Sequence, residues 1–466
     1  MLTNTHTFTA YVPSHRQQVW DWFARPGAFL RLAAPWGALQ PAVEAKSLRD
    51  GEAVLQAKVA TAKVPGARWV AKHQPQEYID GHQFADVCVS QPFAALTQWR
   101  HLHRFEDDGD GAKVIDRVTS RVPRGQLAPM FEYRSRQLID DLAAHARAAQ
   151  EWSATPSVIA ITGASGLVGS ALSAFLSTGG HTVVQLVRGE PDANSPYEQR
   201  RWNPDAPVHA MLDGVDVVVH LAGAPIGSRF TADHMAAVRD SRVGPTRRLA
   251  EAIAAHGGPK AFVSASAIGY YGSEHGDELL DESSPSGDDF LASVVREWEA
   301  STAPAADATV RTVRVRTGIV QSARGGTLAL MRPLYESFLG GRLGDGKQWM
   351  SWIGLDDLVE IYHRAIFDAD LVGPVNAVAP QAVRNSEYSK QLAATVHRPN
   401  LVPVPGFGPR LLLGNRGARE LALASQRVVP AVLVDHGHHF RYEELPAALA
   451  HELGSDPRSA KADASG

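Results

Sequence analysis

Two rhythms of apolar and polar residues divide this chain. Through residues 1–150, apolar and polar positions alternate in short runs: HTFTAYV, EAVLQAKVA, ARWVAKHQ, QFADVCVS, TQWRHLHRFED and AKVIDRVTSRV. A period of two marks strands with one buried face. RDGE, DGH and DDGDG supply turns between them. SHRQQVWDWFA reads as a helix with Ser14 at its N-cap and Val19, Trp20 and Phe23 on one face, and MFEYRSRQLIDDLAAHARAA as a long closing helix. That order predicts an α+β domain, a curved antiparallel sheet wrapped on a helix around a cavity. EWSATPS follows as a short linker.

From Ser157 the rhythm changes to continuous apolar runs: SVIAITG, TVVQLVR, VDVVVHLAG, KAFVSASA and TVRTVRVRTGIV, with helical stretches between them. Strands buried on both faces read this way, so a parallel, doubly wound α/β sheet is expected. LVGPVNAVAP adds a late strand and NSEYSKQLAATVH a helix. The expected plan is a domain at 1–150, a nucleotide-binding domain at 157–400, a small helical domain at 401–450 and a disordered polar tail at 455–466.

One stretch carries chemistry. TGASGLVG places Gly163, Gly166 and Gly169 between a strand and a helix. Small residues there let backbone N–H groups approach a pyrophosphate, and the helix aims its positive end at the charge. Ser165, Leu167 and Val168 complete the turn. The second strand ends at Arg188 rather than at Asp or Glu. A guanidinium suits a ribose 2′-phosphate, so NADP is expected over NAD.

Composition narrows the classes. Lys plus Arg is 46 and Asp plus Glu is 50, so no basic excess points to nucleic acid. Cys88 is the one cysteine, which excludes an internal disulfide and a multi-cysteine zinc site. The N-terminal residues lack the pattern of a signal peptide, and no apolar run reaches the roughly 20 residues of a membrane span. A cytoplasmic protein with a small-molecule substrate is expected.

TGASGLVGSAL, DVVVHLAGAPI, SRVGPTRRLAEAI, SASAIGYYG, RTGIVQSARGGTLALM and LGDGKQWMSWIGLDDLV together resemble the extended short-chain dehydrogenase/reductases, and more narrowly their NAD(P)-dependent epimerase/dehydratase-like subfamily with its own C-terminal domain. FTAYVPSHRQQVWDWFARPGAFLRLAAPW and FADVCVSQPFAALTQWRHLHRF resemble the START-like (polyketide cyclase, SRPBCC) domains, which implies a helix-grip fold and a hydrophobic ligand. The first resemblance implies that Leu221, Ala222 and Gly223 lie beside the adenosine and that Ser266 holds the reacting oxygen, with Ser264, near the cofactor, a second candidate for that role.

It also implies a Tyr-x-x-x-Lys pair, the tyrosine moving a proton and the lysine lowering its pKa. The helix DDFLASVVREWEA contains neither. If Glu299 matches the acidic residue that closes the motif, the two positions hold Leu291 and Val295. Tyr270 and Tyr271 are the alternative proton donors. In the substrate loop GDGKQWMSWIGLDD, Met350 and Ser351 replace an arginine and an aspartate common in sugar-nucleotide members, which implies a more apolar substrate. The alternative is an NADP-binding sensor without turnover. His101 and His103 share a strand face and would need a third ligand to hold a metal. Such a pair is more often an ordinary half-buried face, and no metal site is assigned. His436, His438 and His439 read as a solvated loop.

Overall fold

The computed structural model describes residues 3–59, 62–400, 403–404 and 407–455. It divides into two compact units, one of residues 1–149, 173–181 and 450–466, the other of residues 150–172 and 182–449.

The first unit holds β1 (Asn4–Val12), α1 (Arg16–Ala24), β2 (Leu39–Val43), β3 (Glu52–Val59), β4 (Ala62–His73), β5 (Gln83–Cys88), β6 (Arg100–Asp108), β7 (Gly111–Ser120) and α2 (Arg124–Glu151). The strands form one antiparallel sheet in the order β1-β7-β6-β5-β4-β3-β2. β2 carries Pro41, which hid it from the sequence pattern; at a sheet edge the missing N–H costs no ladder bond. Ser14 is not the cap of α1. His15 takes that position without a side-chain bond, and Ser14 turns its N–H back to Val12 O at 2.8 Å. Alternation along β6 buries His101, His103 and Phe105 on one face. That face and α1 enclose Trp20, Phe23, Phe84, Phe105, Val114 and Leu138, while Val118, Leu127 and Phe131 form a second cluster with Phe8 stacked on Phe131 at 4.2 Å.

The second unit is built on β8 (Val158–Thr162), β9 (Thr182–Val187), β10 (Glu198–Arg201), β11 (Val217–His220), β12 (Ala261–Ala267), β13 (Arg311–Thr317) and β14 (Gly373–Ala377). Every pairing is parallel, in the order β10-β9-β8-β11-β12-β13-β14. This is the doubly wound sheet that the apolar runs imply, with its topological switch between β8 and β11. α3 (Leu167–Thr178) follows β8, and α4 (Phe290–Ala300) precedes β13. The run TVRTVRVRTGIV is not one strand. It breaks at Gly318, where a Cβ would meet Ser351 O at 2.7 Å, and Ile319–Gln321 pairs instead with Trp352–Gly354. Residues 456–466 of the expected tail, and Leu401, lie outside the described residues. No helix among the described residues is long and apolar enough to cross a membrane.

Candidate functional site

Parallel strands gather their carboxyl ends on one edge, and the crevice at the switch point is where such sheets take ligands. Gly163 leaves β8 with φ +69°, and a Cβ on it would lie 2.8 Å from Leu221 C and 2.9 Å from Ala222 N. A Cβ on Gly169 would lie 2.3 Å from Gly163 O. These two glycines therefore let the turn, the first turn of α3 and the end of β11 close on one another. Gly166 differs. Its Cβ would meet only Gly163 O, at 3.2 Å, and the residue is exposed beside exposed Ser165. Its open side is where backbone N–H groups can meet an anion. Leu167 and Val168 are half-buried at the start of α3, and Leu167 packs near Gly325 and Gly326.

Arg188 stands exposed just past β9, with no hydrogen bond or ion pair to its side chain among the described residues. Leu221 and Ala222 donate their N–H groups to Thr162 Oγ1 at 3.2 and 3.3 Å. Thr162 also pairs with His220 Nδ1 at 2.7 Å, and His220 Nε2 with Thr246 Oγ1 at 3.0 Å. Burial, helped by the Arg242 charge, pulls the His220 pKa down to about 4, so the ring is neutral. Ser264 lies in the same cross-strand row as Thr162 and His220, and its hydroxyl is buried. Gly223 and Ala224 rest on buried Arg242, whose Nη2 donates to Ala224 O at 2.9 Å. The sequence reading missed Arg242, because a basic residue in a helix start gives no sign of inward aim.

Further along β12, and on β13 and β14 beside it, the groups are closed on each other. Ser266, Arg316 and Asn376 share one cross-strand row of β12, β13 and β14. Ser266 Oγ donates to Glu299 Oε1 at 2.6 Å, and Arg316 grips the same carboxylate twice, at 2.8 and 2.9 Å. Arg316 Nη1 donates to the Tyr271 hydroxyl at 3.0 Å, which donates to Asn376 Oδ1 at 2.7 Å. Ser266 and Tyr271, expected at the reacting oxygen, thus have their hydroxyls spent inside a buried network. Burial pushes the Tyr271 phenol up to about 12 despite the Arg316 charge. Tyr270 is placed otherwise. It is half-buried, its ring lies 3.5 Å from Arg316 Cζ, and its hydroxyl has no partner among the described residues. Leu291 and Val295 on α4 are buried, and both reach toward Gly269 in the turn that carries Tyr270.

The same fold carries sequence relatives. Residues 159–377 match the model of the NAD dependent epimerase/dehydratase family, and residues 404–452 match a domain of unknown function (DUF1731). An epimerase family protein of Mycobacterium bovis is 41% identical over 298 residues, 63% of this chain and 97% of that one. The chain belongs to the NAD dependent epimerase/dehydratase family. A solved nucleoside-diphosphate sugar epimerase from Corynebacterium glutamicum is 43% identical, with a TM-score of 0.85 over 98% of this chain and 93% of that chain. Human epimerase family protein SDR39U1, solved with NADPH, is 30% identical, with a TM-score of 0.58 over 64% of this chain and 99% of that one.

The DUF1731 segment reaches the Tyr270 turn and the start of α4. Gln426 Nε2 donates to Ile268 O at 3.0 Å and also to Gly272 O, so it holds the Tyr270 turn from both sides. Ser351 donates to Gln426 O and accepts from Val428 N, each at 2.9 Å. It serves as a clamp, and Met350 is buried beside Asn385. Glu420 accepts from Leu291 N at the start of α4, at 3.0 Å. Trp349 carries two guanidinium groups against its ring, Arg384 at 4.0 Å and Arg427 at 4.5 Å from the ring centre. Neither arginine was legible as part of a site, since 35 and 78 residues separate them from Trp349 along the chain.

Proposed function

We propose that this protein binds NADP at the carboxyl edge of its parallel sheet and performs epimerase-like redox or isomerisation chemistry on a small, fairly apolar substrate without a Tyr–Lys pair. The carrying observation is the Gly163–Gly169 turn, braced on two sides and open at Gly166. Backbone N–H groups of that turn would hold the pyrophosphate, Leu221 to Gly223 the adenosine side, and the unengaged Arg188 the 2′-phosphate. NADP, when bound, supplies hydride exchange. The human relative's NADPH supports the choice of cofactor.

Tyr270 is the phenol we assign to proton exchange with the substrate, because its hydroxyl is uncommitted. Ser266 and Tyr271 act as positioning residues through Glu299 and Arg316. Arg427, with no bonded partner among the described residues, and the Trp349 ring suit a substrate with a flat apolar body and one anionic end. The test is direct. NADPH should bind more tightly than NADH, and equal dissociation constants would sink the NADP reading. Tyr270→Phe should slow turnover by about 10²–10⁴-fold with NADPH affinity unchanged. Tight NADPH binding with no turnover of any candidate substrate would favour the sensor over the enzyme.

We assign residues 1–150 as a START-like, helix-grip domain, residues 157–400 as the cofactor domain and residues 401–450 as its C-terminal domain. Seven antiparallel strands closed by a long helix support the first of these. Saturable binding of an apolar fluorescent probe to the full chain, lost when α2 residues facing β6 are enlarged, is the expected result. Absence of probe binding removes the ligand from the proposal.

A further inference from the structure

The inward face of the antiparallel sheet carries a polar knot at the centre of aromatic surroundings. β6 contributes His101 and His103. In the strand register Asp86 on β5 stands opposite His101, and Asp116 on β7 stands opposite His103. All four are buried. Phe84 stacks on His103 with centroids 4.1 Å apart, and Phe131 and Trp99 meet His101 edge-on at 5.3 and 5.7 Å. Two carboxylates and two imidazoles in such a place are costly unless they neutralise one another or hold a cation.

Their orientation separates the roles. His101 Nε2 donates to Asp116 Oδ1 at 2.9 Å, and His103 Nδ1 lies 2.8 Å from the same oxygen at an angle too bent for a hydrogen bond. Asp116 therefore stands behind both rings. With its Nε2 protonated, a neutral His101 presents the bare Nδ1 on its other side. His101 Nδ1 is 3.7 Å, and His103 Nε2 3.5 Å, from Asp86 Oδ2. Three donor atoms, one from each of Asp86, His101 and His103, lie within 4.8 Å of one another. Two ligands of a tetrahedral zinc ion sit about 3.3 Å apart when the bonds are about 2.0–2.1 Å. The two gaps at Asp86 are therefore near the edge of such a tetrahedron and at or beyond hydrogen-bond length.

We propose that Asp86, His101 and His103 bind one divalent transition-metal ion of the zinc class, with Asp116 orienting the imidazoles from behind. Two imidazoles and a carboxylate are a donor set for Zn²⁺ or for Fe²⁺, and a carboxylate behind a ligating histidine is the usual support. Three protein ligands leave one position for water or for a donor atom of a bound molecule. His73, opposite Asp86 on β4, has its Nδ1 tied to Ser47 O at 2.7 Å, and it has no ring nitrogen within the group of three donor atoms. Arg134 on α2 supplies a positive charge felt at His103. The competing arrangement is an extra proton on His103, whose imidazolium then faces Asp86 with Nε2 and Asp116 with Nδ1.

The full chain, stripped with a chelator, is titrated with Co²⁺ and then Zn²⁺. The expected result is one Co²⁺ per chain with the visible absorption of a tetrahedral ion, displaced by Zn²⁺. Asp86→Asn and His103→Gln should abolish it, and Asp116→Asn should weaken it by about 10–100-fold. No saturable binding, or binding that keeps its affinity in Asp86→Asn and His103→Gln, overturns the proposal and leaves the proton. Where a variant fails to fold, X-ray absorption of the zinc-loaded unmutated chain decides. Two imidazoles with oxygen donors support the site, and any other imidazole count overturns it.

Discussion

The nucleotide end and the reaction end of the parallel sheet solve opposite problems. At the end proposed to take the nucleotide, the backbone would do the binding, and side chains matter mainly by their absence. Gly163 and Gly169 remove Cβ atoms that would lie 2.8 Å from Leu221 C and 2.3 Å from Gly163 O. At the end proposed to carry the reaction, the buried polar side chains are bound to each other and leave the Tyr270 hydroxyl apart. Ser266, Glu299, Arg316, Tyr271 and Asn376 form one continuous chain of hydrogen bonds. A backbone site tolerates sequence change around it. A side-chain network fixes a single geometry, and loss of one member leaves a buried partner exposed to the full cost of desolvation.

That contrast can be broken most sharply at Glu299. Its ion pair with Arg316 is buried on both sides, so Glu299→Ala should cost about 3–5 kcal/mol of stability by leaving the guanidinium uncompensated. Denaturant unfolding would show this, while NADPH affinity of the folded fraction stays within a few-fold. A stable Glu299→Ala variant would mean that the network is not holding the reaction end.

The next effect belongs to the nucleotide end. Burial holds His220 neutral, with a pKa of about 4 against 6.5 when unfolded. Between those values the unfolded chain binds a proton that the folded chain refuses, so this contribution is intact above pH 6.5 and is lost as pH falls toward 4. The full loss is roughly 3 kcal/mol. Unfolding curves across pH 7 to 4 should show a proton uptake that His220→Gln reduces by one. An unchanged pH slope in that variant would place the titration elsewhere.

Arg188→Ala should reverse the pattern of Glu299→Ala. Its side chain has no bond among the described residues to lose, so melting should be unchanged, while NADPH binding weakens by about 1.5–3 kcal/mol and NADH binding does not. Equal loss for both cofactors would remove the 2′-phosphate role. The smallest change is expected at Ser351, where alanine removes two hydrogen bonds to the DUF1731 segment and should cost about 1–2 kcal/mol, read as a lower melting temperature.

The sequence carried the parallel sheet and the glycine turn well, because both are local. Apolar runs and three glycines within seven residues suffice to state them. β2 was invisible because Pro41 argues against a strand unless the strand is known to lie at an edge. The absence of a Tyr–Lys pair was legible, since α4 holds no Tyr and no Lys. The difference between Tyr270 and Tyr271 was not. Two adjacent phenols look alike in a sequence, and only the register that lines up Ser266, Arg316 and Asn376 commits one of them. The pairing of Asp86 with His101 and of His103 with Asp116 likewise needed the order of three strands. Two histidines on one strand face gave half of that cluster, and the carboxylates lie 15 and 13 residues away from the nearer ring.

The reach of the DUF1731 segment has a consequence for the order in which the protein matures. Glu420 closes the start of α4, Gln426 holds the Tyr270 turn, and Val429 O accepts from Asn376 Nδ2 at 2.9 Å. All three leave the ribosome long after the strands they complete. On the function proposed above, the turn that would take the pyrophosphate, Gly163 to Gly169, is made well before any of these three residues. A chain interrupted before residue 420 would keep Tyr270 and α4 but lose the two side chains, Glu420 and Gln426, that hold them.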